Sequence, residues 1–173
     1  MKELTAARLV LKPMCSEYLY SVDEYASDKE TCKYMMFLPN ESLEETAGFL
    51  RDAENEMSKD APSYYEMAVF LGNALIGAVS LYLNETGTEG ELGWVINRKY
   101  HGRGFASEAA EVLLEFAVKE LGIKHFTAHC DTENIPSRRV MEKLGMKLSG
   151  EYGGRKNRLS DEERREYLYE LFL

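Results

Sequence analysis

The sequence predicts a mixed α/β sandwich with a partly parallel sheet, forming one domain over residues 1–173. Three observations lead there. The chain has 173 residues, 45% of them apolar, which suffices for one core without disulfides or metals. Aromatic and β-branched runs concentrate in its middle. Helical and strand-like periods then alternate through its second half, the rhythm that makes some strands parallel.

Taken in order, residues 8–12 (RLVLK) alternate as a half-buried strand that Pro13 closes at an edge. Helical spacing recurs over Ser16–Ser27 and Ser42–Ser58, with Leu43, Ala47 and Leu50 on one face of the second helix. Ser42 and Glu45 have the spacing of a capping box, and Pro62 ends the stretch. An antiparallel meander follows at Tyr64–Leu71, Ala74–Leu83 and Glu91–Ile96, with Gly72-Asn73 as a two-residue connection between the first two strands. Residues 106–121 place Ala106, Ala110, Leu113, Ala117 and Leu121 on one stripe, and Gly122 stops that helix. His125–Cys130 reads as a strand. Residues 135–144 read as a helix introduced by Asn134, with Pro136 in its first turn and Gly145 after its end. Met146–Tyr152 and Glu166–Phe172 close the fold as strands around a charged loop, with no repeat or linker anywhere.

Composition excludes several functions. The net charge of −9 opposes a phosphate backbone, so no nucleic-acid partner is expected. Cys15, Cys32 and Cys130 are odd in number and lack C-x-x-C spacing, which points to free thiols in a reducing cytoplasm. The N-terminal segment carries no secretory pattern, and the longest apolar region, residues 68–83, is too short to span a membrane and contains Asn73. His125 and His129 lie four apart on a strand without a third ligand, so no metal is expected. His129 and Cys130 point to opposite faces of that strand, which argues against a nucleophile pair. Seven acids between residues 40 and 60 form a solvated helix face that also suits a cationic partner.

The chemistry concentrates at WVINRKYHGRGFASEAAEVL. Gly102 and Gly104 leave the backbone N–H groups of Gly102, Arg103, Gly104, Phe105, Ala106 and Ser107 uncovered at a helix N-terminus, where donors lack partners and the dipole is positive. Arg98, Lys99, His101 and Arg103 make the segment locally basic. No Rossmann or P-loop spacing is present, which disfavours dinucleotides.

HGRGFASEA resembles the pyrophosphate-binding motif of the GNAT superfamily of N-acetyltransferases, Q/R-x-x-G-x-G/A, with His101, Gly104 and Ala106 in the motif positions. ELGWVIN and the N-x-x-S-x-x-V-x-E-K-L-G-M run from Asn134 to Met146 are similar to the branch containing ribosomal-protein N-terminal acetyltransferases. The resemblance implies a mostly antiparallel central sheet splayed around the acyl-CoA site and flanked by helices. It implies acetyl-CoA as cosubstrate, direct attack by a primary amine, and an acceptor that is a small molecule or a protein N-terminus. By the same resemblance Val95 and Ile96 offer backbone hydrogen bonds to the pantetheine, an N–H near Trp94 faces the thioester carbonyl, Asn134 positions the cofactor and Ser137 lies near its sulfur. Glu91, on the face shared with Gly93, is the expected base. Arg138 and Arg139 are candidates for the 3′-phosphate, Arg139 the stronger. Met141 stands where many members carry a tyrosine acid, which leaves Ser137 or water to serve the thiolate. The alternatives are a coenzyme A-binding module with little catalysis and a nucleotide-binding regulator; a monomer or homodimer is compatible with either.

Overall fold

A computed structural model describes residues 2–173. Eight strands form one sheet in the order β1-β2-β3-β4-β5-β6-β8-β7. They are β1 (Leu4–Thr5), β2 (Val10–Pro13), β3 (Tyr64–Leu71), β4 (Ala74–Leu83), β5 (Glu89–Ile96), β6 (His125–Asp131), β7 (Lys147–Arg155) and β8 (Arg164–Phe172). Every neighbouring pair is antiparallel except β5 and β6. Helix α3 (Phe105–Glu120) forces that exception, because it carries the chain from the top of β5 back to the bottom of β6.

The other helices are α1 (Leu19–Ala26), α2 (Leu43–Met57) and α4 (Ile135–Lys143). Strand alternation divides the apolar side chains between the two faces. Met67, Val69, Val79, Leu81, Leu92 and Ile96 pack with Leu113 and Ala117 of α3 and Met141 of α4. Ala68 and Ala78 pack on the opposite face with Val22 and Tyr25 of α1 and Leu50 and Ala53 of α2.

The expected elements all form, with shifts that have physical causes. The two-residue β1 covers part of the edge expected at β2, pairing Leu4 with Leu11. The buried stripe of α2 is Thr46, Leu50, Ala53 and Met57 rather than Leu43, Ala47 and Leu50, because Thr46 is needed inside to bind Asn40 and Asp23. The Ser42 hydroxyl accepts from the Glu45 N–H, but the Glu45 carboxylate reaches back to Glu41 rather than to Ser42. Strands β7 and β8 extend into the expected charged loop and shorten it to residues 156–163. Burial pushes the Cys32 thiol up to about 12 and the Cys130 thiol up to about 11. No helix among the described residues is long and apolar enough to cross a membrane.

Candidate active site

Strands β5 and β6 pair only at Glu89↔His125, Gly90↔Phe126 and Glu91↔Thr127, and then part. Beyond that vertex β5 stays on β4 up to Gly77↔Ile96, while β6 stays on β8 up to Asp131↔Glu166. The result is a V-shaped opening between two strands. Ladder alternation decides which backbone groups face it. Asn84 and Asn97 bind Glu89 and Ile76 across the β4–β5 pair, so residues 91, 93 and 95 turn their polar groups toward β4. Trp94 and Ile96 turn theirs toward the opening. Val95, expected to serve it as well, is instead engaged with Ala78, and its side chain packs on the α1–α2 face.

The glycine loop stands at the open end of the V. Gly104 caps α3 with φ 81°, a left-handed conformation that an L side chain rarely adopts. Among the described residues, no carbonyl or side chain accepts from the N–H groups of residues 102–107, and the first loop contact back to the helix is Glu108 N–H to the Gly104 carbonyl. Arg8 secures the loop from β2's approach. Its guanidinium clasps Glu108 at 2.6 Å, donates to the Arg103 carbonyl and stacks on Phe105. The Arg103 guanidinium lies 4.8 Å from the centre of that ring.

The local positive charge is smaller than the sequence suggested. Arg98 pairs with Asp28 and Lys99 with Glu24, so both are neutralised, Lys99 from within α1 and Arg98 from the segment that follows it. Arg103 has no carboxylate partner among the described residues. The His101 ring bonds the Ile96 carbonyl at 2.6 Å, which ties the loop to the end of β5.

On the α3–α4 side of the V, Asn134 caps α4, its side chain accepting from the Ser137 N–H at 3.2 Å. The Trp94 indole N–H donates to the Ser137 hydroxyl at 3.2 Å across the mouth of the opening. Met141, one turn further along α4, is fully buried in the core. Arg138 lies along Glu142, whereas Arg139 is exposed and lacks an ion-pair partner among the described residues.

The α1–α2 side is more polar. Glu91 is exposed at the last β5–β6 pair, beside Tyr82 and Thr127. One row further up, Glu66, Ser80 and Gly93 face one another across β3, β4 and β5. Gly93 has to be bare, since a Cβ there would sit 2.7 Å from the Ser80 hydroxyl. Glu66 is 5% exposed, and burial pushes its carboxyl up to about 8 despite the Tyr82 and Ser80 hydroxyls beside it. Sequence reasoning missed Glu66. Its signal was a carboxylate on the strand face that otherwise carries Ala68 and Phe70.

A strap roofs this side. The segment between α1 and α2 is held at one end by Asp28 and Thr31 to Arg98. At the other end the Tyr34, Met35 and Phe37 carbonyls accept from Arg155 and Arg158 of the β7–β8 region. Arg155 is aimed by Asn157, which donates at 2.6 Å to the fully buried Asp131 at the tip of β6; Arg164 clasps the same carboxylate at 2.7 and 2.9 Å. Burial opposes ionisation of Asp131, but these donors hold its carboxyl below the usual range.

Comparison with known proteins agrees with this geometry. Residues 8–147 match the acetyltransferase (GNAT) domain family. The chain is 33% identical over 149 residues to the N-acetyltransferase YnaD of Bacillus subtilis, covering 85% of this chain and 84% of that protein. A GNAT-family acetyltransferase structure from Bacillus anthracis superposes with a TM-score of 0.84 at 29% identity, covering 99% of this chain and 98% of the other. The ribosomal L7/L12 α-N-protein acetyltransferase RimL, solved in complex with coenzyme A, shares the fold at a TM-score of 0.89 and 15% identity, covering 99% and 98% of the two chains.

Proposed function

The chain belongs to the GNAT acetyltransferase family and is an acetyl-CoA-dependent N-acetyltransferase; on that premise we propose how its residues divide the work. The diphosphate of acetyl-CoA lies on the N–H groups of residues 102–107, where unpartnered amides and the α3 dipole favour an anion. Arg103 adds charge at the loop and Arg139 on α4 reaches the nucleotide phosphate. The pantetheine arm lies in the V along Trp94 and Ile96, and the Trp94 N–H polarises the thioester carbonyl. Asn134 sets the first turn of α4 and with it the Ser137 hydroxyl. That hydroxyl already accepts from the Trp94 indole, so its own proton is free to serve the departing thiolate, the role Met141 cannot fill. Glu91 stands at the vertex on the side open to the amine.

The acceptor is a primary amine, carried by a small molecule or by a protein N-terminus as in the activity named for RimL. The three free cysteines support a cytoplasmic site of action. The observation that carries the reading is the parting of β5 from β6 directly below a loop of unpartnered amides. The test uses the single tryptophan, Trp94, as reporter. Acetyl-CoA is expected to change its fluorescence saturably, and a panel of primary amines to yield at least one that releases thiol. Absence of binding by fluorescence and calorimetry would overturn the assignment.

A further inference from the structure

We propose that Glu66 and Ser80 form a relay that takes the proton from the acceptor ammonium, entering at the bare position of Gly93. The inference rests on the functional reading above and deepens its amine half.

The geometry argues for the relay in three ways. First, the row Glu66–Ser80–Gly93 lies two residues along β5 beyond the vertex where β5 and β6 part, beside the backbone N–H proposed for the thioester. Second, the α3–α4 face is closed at that level by buried Leu92, Ile96 and Met141, so an amine reaches the thioester from the face where Gly93 offers no side chain and Ser80 lies directly beneath. Third, Glu66 has an exit. The Tyr82 hydroxyl stands 3.4 Å from its carboxylate and Tyr82 is 45% exposed, which links a buried carboxyl to solvent. A merely structural glutamate needs no such link, and burying one among apolar side chains is costly without a partner cation.

The proton balance is simple. The ammonium gives a proton to the Ser80 oxygen while Ser80 passes its own hydroxyl proton to the Glu66 carboxylate, leaving a neutral amine and a neutral carboxyl. The amine nitrogen then bonds to the acetyl carbon, the carbon–sulfur bond breaks, and the remaining surplus amine proton ends on the thiol. Glu66 returns its proton to water through Tyr82. The titratable groups facing Glu66 are Tyr25 from α1, Tyr64 beside it on β3 and Tyr82 from β4, and none is a cation. α2 meets it through the Met57 sulfur, which accepts from the Glu66 N–H. Burial therefore sets its titration near 8, a range suited to deprotonating an alkylammonium.

The test measures kcat against pH, at saturating acetyl-CoA, on the amine from the panel that turns over. The wild type is expected to gain rate with a midpoint near 8. Glu66→Gln should lose that limb and fall about tenfold to a hundredfold at the plateau, with KM for acetyl-CoA unchanged, whereas Glu66→Asp should keep a limb. Ser80→Ala, which fits a site already bare opposite, should lose the same limb, and the double variant should be no slower than either single one. A limb that survives in Glu66→Gln or in Ser80→Ala overturns the relay and leaves the acetyltransferase reading standing. Acetyl-CoA binding without turnover on any amine overturns both.

Discussion

The two sides of the sheet meet the V at the same height and are built differently. The α3–α4 side is apolar, with Leu92, Ile96 and Met141 buried and one hydroxyl, Ser137, held by Trp94 and capped by Asn134. The α1–α2 side has two carboxylates, Glu91 and Glu66, two hydroxyls, Ser80 and Tyr82, and a strap pinned by arginines. Acyl transfer accounts for the contrast. A thiolate leaves with little help, so one donor in a dry wall serves it, whereas an ammonium must lose a proton before it can attack and needs a path for that proton. Electrostatics follows chemistry, and the sheet keeps the two apart.

The largest expected effect tests whether the amine side is held up by the arginine-pinned strap. Asp131→Ala removes the carboxylate on which Arg164 and Asn157 converge. It should cost about 3 kcal/mol in chemical unfolding, because the buried Asn157 amide loses its acceptor while the partly exposed Arg164 keeps only Glu133. The exposed Arg165–Glu151 pair is the control. Glu151→Ala there should change stability by less than about 1 kcal/mol. Equal losses from the two variants would remove the strap from the account of the site.

The next effect concerns the cofactor end of the other side. Gly104→Val forces a β-branched residue into φ 81° and places methyl groups where the cradle has open space, since only the Arg8 guanidinium lies within 4 Å of the missing Cβ, at 3.7 Å. Acetyl-CoA affinity by calorimetry should fall at least about a hundredfold, or nearly 3 kcal/mol, while the strap and the Glu66 row remain intact. Retained affinity would mean that the loop does not grip the diphosphate.

How much of this was legible in the sequence follows the same division. The cofactor end is made of backbone. Glycines, a helix start and a capping asparagine work through main-chain geometry, so HGRGFASEA and the Asn134 cap could be read in linear order, and the meander and the helices followed from their periods. The amine side is made of side chains converging from distant segments. Glu66 and Ser80 become neighbours only through the register of β3 on β4, and Asp131 meets Asn157 across two strands. Arg98 and Lys99 made the loop read as basic because Asp28 and Glu24, which neutralise them, lie about seventy residues away in sequence. Val95 was misassigned for a subtler reason, since one residue of ladder alternation decides whether a peptide faces β4 or the opening.

The smallest effect distinguishes a donor from a spacer on the thiol side. Ser137→Ala removes the hydroxyl that the Trp94 indole holds on that wall and leaves the α4 cap, which uses the Ser137 N–H rather than its side chain. If the hydroxyl serves the thiolate, kcat should fall about tenfold, or 1.4 kcal/mol, with acetyl-CoA affinity unchanged. Ser137→Thr, which restores a hydroxyl, should recover most of that. Trp94→Phe keeps the backbone N–H toward the thioester and deletes only the indole bond to Ser137, so its loss should be no larger than that of Ser137→Ala and should vanish when the two are combined. An additive double variant would mean that Trp94 acts on the acyl group by itself, and the apolar wall would then hold two independent contacts rather than one aimed hydroxyl. Unchanged kcat in Ser137→Ala would mean that the thiolate departs unassisted, which would place the whole chemical demand of the reaction on the amine side of the sheet.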